Sequence, residues 1–427
     1  MATKFVTQSS PEQRLICRTL VATYPLYFLG ALYVSGAVIG WLALMLISLR
    51  CYFSERNSDR FISVMVWFWI LSMILMLLIL WVGHAQWYLG LGKAIKSSIG
   101  WAKGWALFSV FILIGCIAQI KASAVVRAVA IISAHSLYFA LFTVVAYFIG
   151  LPNDIYVSPL KVVGGPGPEF FTISLFGINP ETGMARWQFF GPWSPAAGLL
   201  ACLFFVICCS EPDKKWRRLG IAGCVAMCLL SQSRAGWVVF TCLIPLVFFA
   251  DKLRKPWFLL TAGLVATLLI TLGQPLYELL TDFHQQMKDA RPDSTRVRAT
   301  LERLAIQRWQ DEAFWFGHGI VERGPKIVEG MAIGTHHTWF GLLFVKGLAG
   351  LLVFLIPMLV TLIYLFFQSL YYPLGRVAFN LVVVLLCYSL FENLEILTYL
   401  FWPALLLIGM ALNPMKIGEK HGLKSTT

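Results

Sequence analysis

Two histidines, His336 and His337, sit side by side in GTHHTWFGLL, where a polar loop gives way to a long apolar run. A neutral imidazole accepts a proton near pH 7, so either ring is a candidate general base at the mouth of a helix. Arginines supply a second chemistry. Arg234, in SQSRAGW, interrupts an apolar run of about 31 residues. A charge at bilayer depth is costly and marks a functional group or a buried pair; the plainer alternative is a side chain that snorkels to the headgroups. Arg296 and Arg298 begin a second arginine-bearing stretch, and Arg186 opens RWQFFGPW. Guanidinium groups stay charged and match phosphate oxygens two at a time. Together Arg234, Arg296, Arg298 and Arg186 suit a lipid-linked diphosphate. Each alone has a simpler use: Arg298 could pair with Glu302 and Arg308 with Glu312 along a solvated helix. Arg186 equally fits an aromatic anchor at the membrane surface.

A metal site is the rival use of the histidines. Neighbours on a helix point about 100° apart and chelate one ion poorly. The loops carry no DxD-like carboxylate pair, although His284, His318, Asp289 and Asp293 could assemble in space. We expect neither metal nor cofactor. Lys346 lies ten residues beyond His336, about 15 Å along a continuous helix, and needs a buried partner that the sequence does not name. Glu392 and Glu395 fall in a short turn; either could orient a histidine, and either could serve the turn alone.

The elements that must position these groups are membrane helices. Of 427 residues 59% are hydrophobic and 13% charged, and mean hydropathy is +0.75. Apolar runs long enough to cross a bilayer as helix recur along the chain. An all-α polytopic membrane protein follows, because a chain in lipid must satisfy its backbone internally. Spans are predicted near 15–31, 33–49, 61–82, 104–120, 125–150, 189–209, 219–232, 234–250, 257–273, 339–366, 377–391 and 396–412, about twelve in all. The first two could be one long helix or a hairpin broken near Pro25 and Gly36. With both termini in the cytoplasm, 19 of the 34 Lys and Arg fall in short cytoplasmic loops and tails, as the positive-inside rule requires. The formal charge of +13 is thus explained without nucleic acid. Residues 83–103, with Lys93, Lys96 and Lys103, break the pattern and read as an interfacial amphipathic piece. Three regions result: an N-terminal helix bundle over 1–273 with an outer loop near 151–188, a large outer loop over 274–335, and C-terminal helices with a cytoplasmic tail over 336–427. In the large loop 296–313 has helical spacing, with Val297, Leu301 and Leu304 on one face. The ten cysteines lie in or beside apolar runs and predict packing rather than disulfides. Met1 to Arg18 is polar and predicts no cleavable signal peptide.

RWQFFGPWSP, SQSRAGW, an arginine-bearing segment leading to FWFGHG, and HHTWFGLLFVKGLAG occur in that order over about 186–350. In this the chain resembles the O-antigen ligase family, which includes O-antigen polymerases and protein O-oligosaccharyltransferases. The family pattern of a histidine followed eleven residues later by glycine fits His336 and Gly347. His337 departs from it, standing where Asn or Ser is common. The resemblance implies a twelve-helix, glycosyltransferase-C-like protein of the bacterial inner membrane with a periplasmic site. It implies metal-independent transfer of a polysaccharide from undecaprenyl diphosphate to lipid A-core during lipopolysaccharide biosynthesis, and direct displacement at the anomeric carbon predicts that the transfer is inverting. His336, or His337, would then be the base, with Arg234 and the other arginines on the diphosphate. A polymerase would instead use a second lipid-linked glycan as acceptor, and an oligosaccharyltransferase a protein. A transporter would spread polar residues along several helices, whereas these cluster at one face.

Overall fold

Apolar stretches that cannot leave backbone groups unpaired in lipid become helices, and helices dominate the structure. The computed structural model describes residues 10–53, 62–179, 183–249, 292–328, 330–333 and 337–417, with isolated positions between 255 and 278. In chain order the main helices are α1 (Pro11–Val21), α2 (Thr23–Phe28), α3 (Leu32–Phe53), α4 (Val64–Gln86), α5 (Leu91–Lys103), α6 (Trp105–Ile117), α7 (Ala122–Phe148), α8 (Ser194–Cys209), α9 (Lys214–Ser231) and α10 (Arg234–Phe249). After them come α11 (Pro292–Glu312), α12 (Thr338–Ser369), α13 (Pro373–Tyr388) and α14 (Leu394–Ala411). Among the described residues six apolar segments are long enough to cross a membrane, one of them formed by α5 and α6 together. Helices α8, α10 and α13 are shorter and apolar. The protein is a multi-pass membrane protein. The predicted span at 257–273 falls largely outside the described residues.

The N-terminal ambiguity resolves into a broken entry. Helix α1 ends at Ala22 and α2 at Leu29, and Gly30 turns the chain at φ 64°. Neither residue suspected of breaking the helix does so. Pro25 sits in the first turn of α2, where its missing N–H costs nothing. Gly36 lies within α3 against the Tyr399 backbone.

Helices α6 and α14 form the centre, and nearly every residue of both is buried. They approach closely because Gly115 faces the Leu406 carbonyl and Gly409 faces that of Ile112, leaving a Cβ no room at either place. Small residues at such crossings are the membrane solution to helix packing. The outer faces of α4 and α7 expose Val64, Leu71, Leu75, Leu141 and Phe148, a surface suited to lipid. Between α7 and α8 two small antiparallel hairpins fold the Gly- and Pro-rich loop: β1 (Asp154–Val157) pairs with β2 (Thr172–Ser174), and β3 (Gly177–Ile178) with β4 (Ala185–Arg186). Helix α11 packs Val297, Leu301 and Ala305 against Phe344 of α12. Leu304 is only half-buried, so the buried stripe runs to Ala305 instead.

Candidate active site

A bend in α12 builds the site. Gly347 takes φ 64°, ψ −167°, a conformation confined to glycine. The rings of Trp339 and Phe354 meet at 5.7 Å, although a straight helix would hold them about 22 Å apart along its axis. Residues 338–346 are therefore a half-helix folded back on the remainder. The single predicted span near 339–366 is two pieces, and Lys346 sits at their bend rather than 15 Å down a continuous helix.

The bend deprives backbone groups of helical partners, and FWFGHG supplies replacements. His318 N–H donates to the Phe344 carbonyl at 2.9 Å and Gly319 N–H to Val345 at 2.9 Å. Leu348 N–H donates to Phe314 at 2.9 Å and Ala349 N–H to Trp315 at 3.1 Å. So close an approach needs Gly317 opposite Gly347, since a Cβ on Gly347 would lie 2.4 Å from the Trp315 carbonyl. The interval between His336 and Gly347 is thus the length of the half-helix and its cap.

That half-helix starts at a corner made by distant segments. Thr338 Oγ1 donates to the Glu392 carbonyl at 2.6 Å and accepts the Leu394 N–H at 3.1 Å. The buried Glu392 carboxylate accepts the Trp193 indole N–H at 2.8 Å. Burial pushes the Glu392 carboxyl up to about 7, while Arg298, the Trp193 hydrogen bond and Arg186 pull it down. Arg186 and Arg298, 112 positions apart in the chain, thus act on one carboxylate. Arg298 also acts on Glu302, so the helix pairing and the site share one side chain. Arg186 donates from Nε to the Ser231 carbonyl at 3.0 Å. Next to it Gln232, in the left-handed region at φ 48°, donates to the Ala185 carbonyl at 3.0 Å. These bonds tie β4 to the break between α9 and α10.

Arg234 begins α10, whose first turn is capped by Ser233 accepting the Gly236 N–H at 3.1 Å. Ser233 and the Tyr388 hydroxyl both crowd Gly236, which brings this helix start to the end of α13 and the Glu392 turn. Arg234 is half-buried, and Arg296 is exposed one position before the inward-facing Val297. Trp187, Phe189 and Phe190 are buried in the core, so RWQFFGPW is not a surface anchor.

His336 lies outside the described residues, as do His284, Asp289 and the side chain of Asp293. His337 caps the half-helix: its Nδ1 accepts the Trp339 N–H at 3.2 Å, which assigns the neutral ring's proton to Nε2. Burial pushes its pKa down to about 4. A lone pair committed to a cap is not available to take a proton from a substrate while the cap is made.

His318 belongs to a separate knot. Its Nε2 meets Glu312 at 2.8 Å and its Nδ1 the Phe344 carbonyl at 3.0 Å. The ring stacks between Trp87 and Phe344 at 5.0 and 4.3 Å. Arg308 pairs with Glu312 at 2.8 Å, as its spacing predicts, and with Glu322 at 2.6 Å. Lys346 is buried, and Glu395 is the opposite charge acting on it. Among the described residues no group of three or more His, Cys, Asp or Glu could hold a metal ion.

The residue that sequence reasoning undervalued is Glu392. Its one signal was an acid in the short turn before an apolar helix, and nothing local pointed to Trp193, Arg186 or Arg298.

No curated protein matches the chain significantly. The family model described as O-antigen ligase matches residues 219–355, from within α9 across the Arg234 break, α11 and FWFGHG to just beyond the Gly347 bend. This multi-pass membrane protein carries an O-antigen ligase family domain.

Proposed function

We propose that the protein is a glycosyltransferase that moves a glycan from undecaprenyl diphosphate to a sugar hydroxyl of lipid A-core, on the periplasmic face of the bacterial inner membrane. The family domain supports ligase- or polymerase-type chemistry in general. The observation that carries the finer reading is the buried Glu392 carboxylate, bonded to the Trp193 indole and within electrostatic reach of Arg186 and Arg298, beside the helix start at His337 and Thr338.

In this reaction the bond between the anomeric carbon and the diphosphate oxygen breaks, and negative charge grows on that oxygen. Arginines fixed beforehand stabilise it; one well-placed donor contributes roughly 2.7–4 kcal/mol in comparable sites. Arg186 and Arg298 take this role together with Arg234 and Arg296. His336 accepts the proton of the attacking hydroxyl, and attack opposite the leaving group inverts the anomeric centre. The diphosphate is already a good leaving group, so the chemistry proceeds without a metal. Ionised Glu392 offsets part of the positive charge of Arg186 and Arg298, and its protonation leaves that charge to the diphosphate.

The test is transfer by purified protein in detergent with EDTA, given undecaprenyl diphosphate-linked glycan with or without lipid A-core. Glycan on lipid A-core supports the ligase. Lengthening of glycan without lipid A-core makes the protein a polymerase. No transfer to either acceptor points to a protein acceptor or a transporter.

A further inference from the structure

Helix α5 presents three faces; one packs on the protein, and the other two are largely open, the third touching the described residues at its Lys103 end. On that face Ser97 Oγ meets His84 Nε2 at 3.0 Å, the Trp81 indole donates to Ser98 Oγ at 2.9 Å, and the Trp101 indole donates to the Met73 carbonyl at 3.0 Å. At about 100° per residue, Leu91, Ile95 and Ile99 share a second face, where they are 77%, 53% and 50% exposed. Lys93, Lys96 and Lys103 share the third with Gly92 and Gly100, beside which a Cβ would meet nothing within 4 Å. Lys93 and Lys96 are exposed, and neither has a hydrogen-bonding or ion-pair partner among the described residues. The helix contains no acidic residue.

Both ends of α5 reach the walls of the candidate site. Trp87, just before it, donates to the Gly317 carbonyl at 3.1 Å. Gly104, just after it, lies against Glu395, and Lys103 donates to the Val163 and Gly164 carbonyls at 3.4 Å. The open faces therefore flank the same end of the bundle as the arginine corner.

We propose that the Lys93–Lys96 face of α5 binds the phosphate of an anionic phospholipid from the surrounding leaflet, with the lipid's acyl chains along Leu91, Ile95 and Ile99. The adjacency of the two faces carries the assignment. Exposed ammonium groups beside a continuous apolar stripe match a ligand whose phosphate is joined directly to acyl chains. A soluble anion would leave the stripe unused. A lysine stem lies along apolar surface while its head reaches the headgroup level, and the two adjacent glycines keep that approach open. Each lysine near an anionic leaflet is worth about fivefold in affinity, so the pair is worth about 25-fold.

The experiment is amide hydrogen exchange of the segment 91–104 in the full-length protein. The protein is held in phosphatidylcholine nanodiscs containing rising phosphatidylglycerol. The wild-type segment slows its exchange as phosphatidylglycerol rises, and high salt reverses the effect. K93Q/K96Q shifts that titration by about 25-fold or beyond reach, and K93R/K96R preserves it. Equal protection in K93Q/K96Q and wild type overturns the proposal, as does a wild-type segment indifferent to phosphatidylglycerol. A bisphosphorylated glycolipid acting at a far lower fraction than phosphatidylglycerol also overturns it and gives the face to an acceptor instead. None of these readings requires glycan transfer, so they stand whatever the transfer assay returns.

Discussion

Two charged clusters meet the same bent helix, and they treat charge in opposite ways. In the knot, Arg308, Glu312, His318 and Glu322 satisfy one another at 2.6–2.8 Å. The Arg308 hydrogen bonds draw the Glu312 carboxyl down to about 2. In the corner, Glu392 has one indole hydrogen bond and two arginines acting from a distance, and burial drives its carboxyl up to about 7. Matched charges fasten a loop to a helix. A carboxyl raised by burial and lowered by two cations can change its state when an anion arrives. The difference separates scaffold from chemistry more sharply than the residue types do, because both clusters are made of Arg, Glu and His.

The comparison breaks first at Gly347. Gly347→Ala should cost more than about 3 kcal/mol, since a Cβ there meets both a forbidden conformation and the Trp315 backbone; loss of folded protein on size exclusion checks it. Corner substitutions should spare the fold and remove activity. Arg298→Ala and His336→Ala should lower transfer by about a hundred- to a thousandfold with an unchanged melting temperature, and normal transfer in both would sink the site.

The third test uses pH. Ionised Glu392 offsets part of the charge of Arg186 and Arg298, so donor diphosphate should bind more tightly as pH falls through about 7, by up to about tenfold per unit. Glu392→Gln should flatten that profile. Its stability linkage has the matching sign: a carboxyl raised in the fold favours folding when protonated, and the advantage is lost as pH rises from about 4.5 through about 7. Glu312 runs the other way, its contribution fading as pH falls from about 4.5 towards 2.

Fourth, Arg308→Ala should destabilise by about 1–3 kcal/mol while turnover per folded molecule holds, the reverse of Arg298→Ala. The smallest effect belongs to His337→Asn. An asparagine keeps the cap, so stability should change by less than about 1 kcal/mol and transfer should persist. Loss of transfer would move the base from His336 to His337.

The sequence made the helices legible because lipid leaves a chain few alternatives, and long apolar runs announce themselves. The bend at 347 was not legible. Its hydrophobic pattern is that of one uninterrupted span, and only a partner backbone 30 residues upstream makes the break affordable. Arg186 was ambiguous because RWQFFGPW has the composition of an anchor; burial of Phe189 and Phe190 decides otherwise. Glu392 was nearly invisible, since its character comes from Trp193, Arg186 and Arg298, each from a different part of the chain. Arg308 and Glu312, four apart on one helix, were readable from spacing alone.

The bend also sets a length. Drawn straight, the 32 residues of α12 would run about 48 Å, far beyond a hydrocarbon core of about 30 Å. Measured from Gly347 to Ser369, the remainder is about 33 Å, a close match. Until FWFGHG docks, however, the exposed amides and carbonyls at the bend favour the straight, overlong form. The membrane helix can therefore take its final tilt and depth only after the FWFGHG loop that precedes it has docked to cap the bend. Biogenesis of this protein should then have a defined last step, the shortening of an already inserted helix, and hydrophobic mismatch would help to drive it.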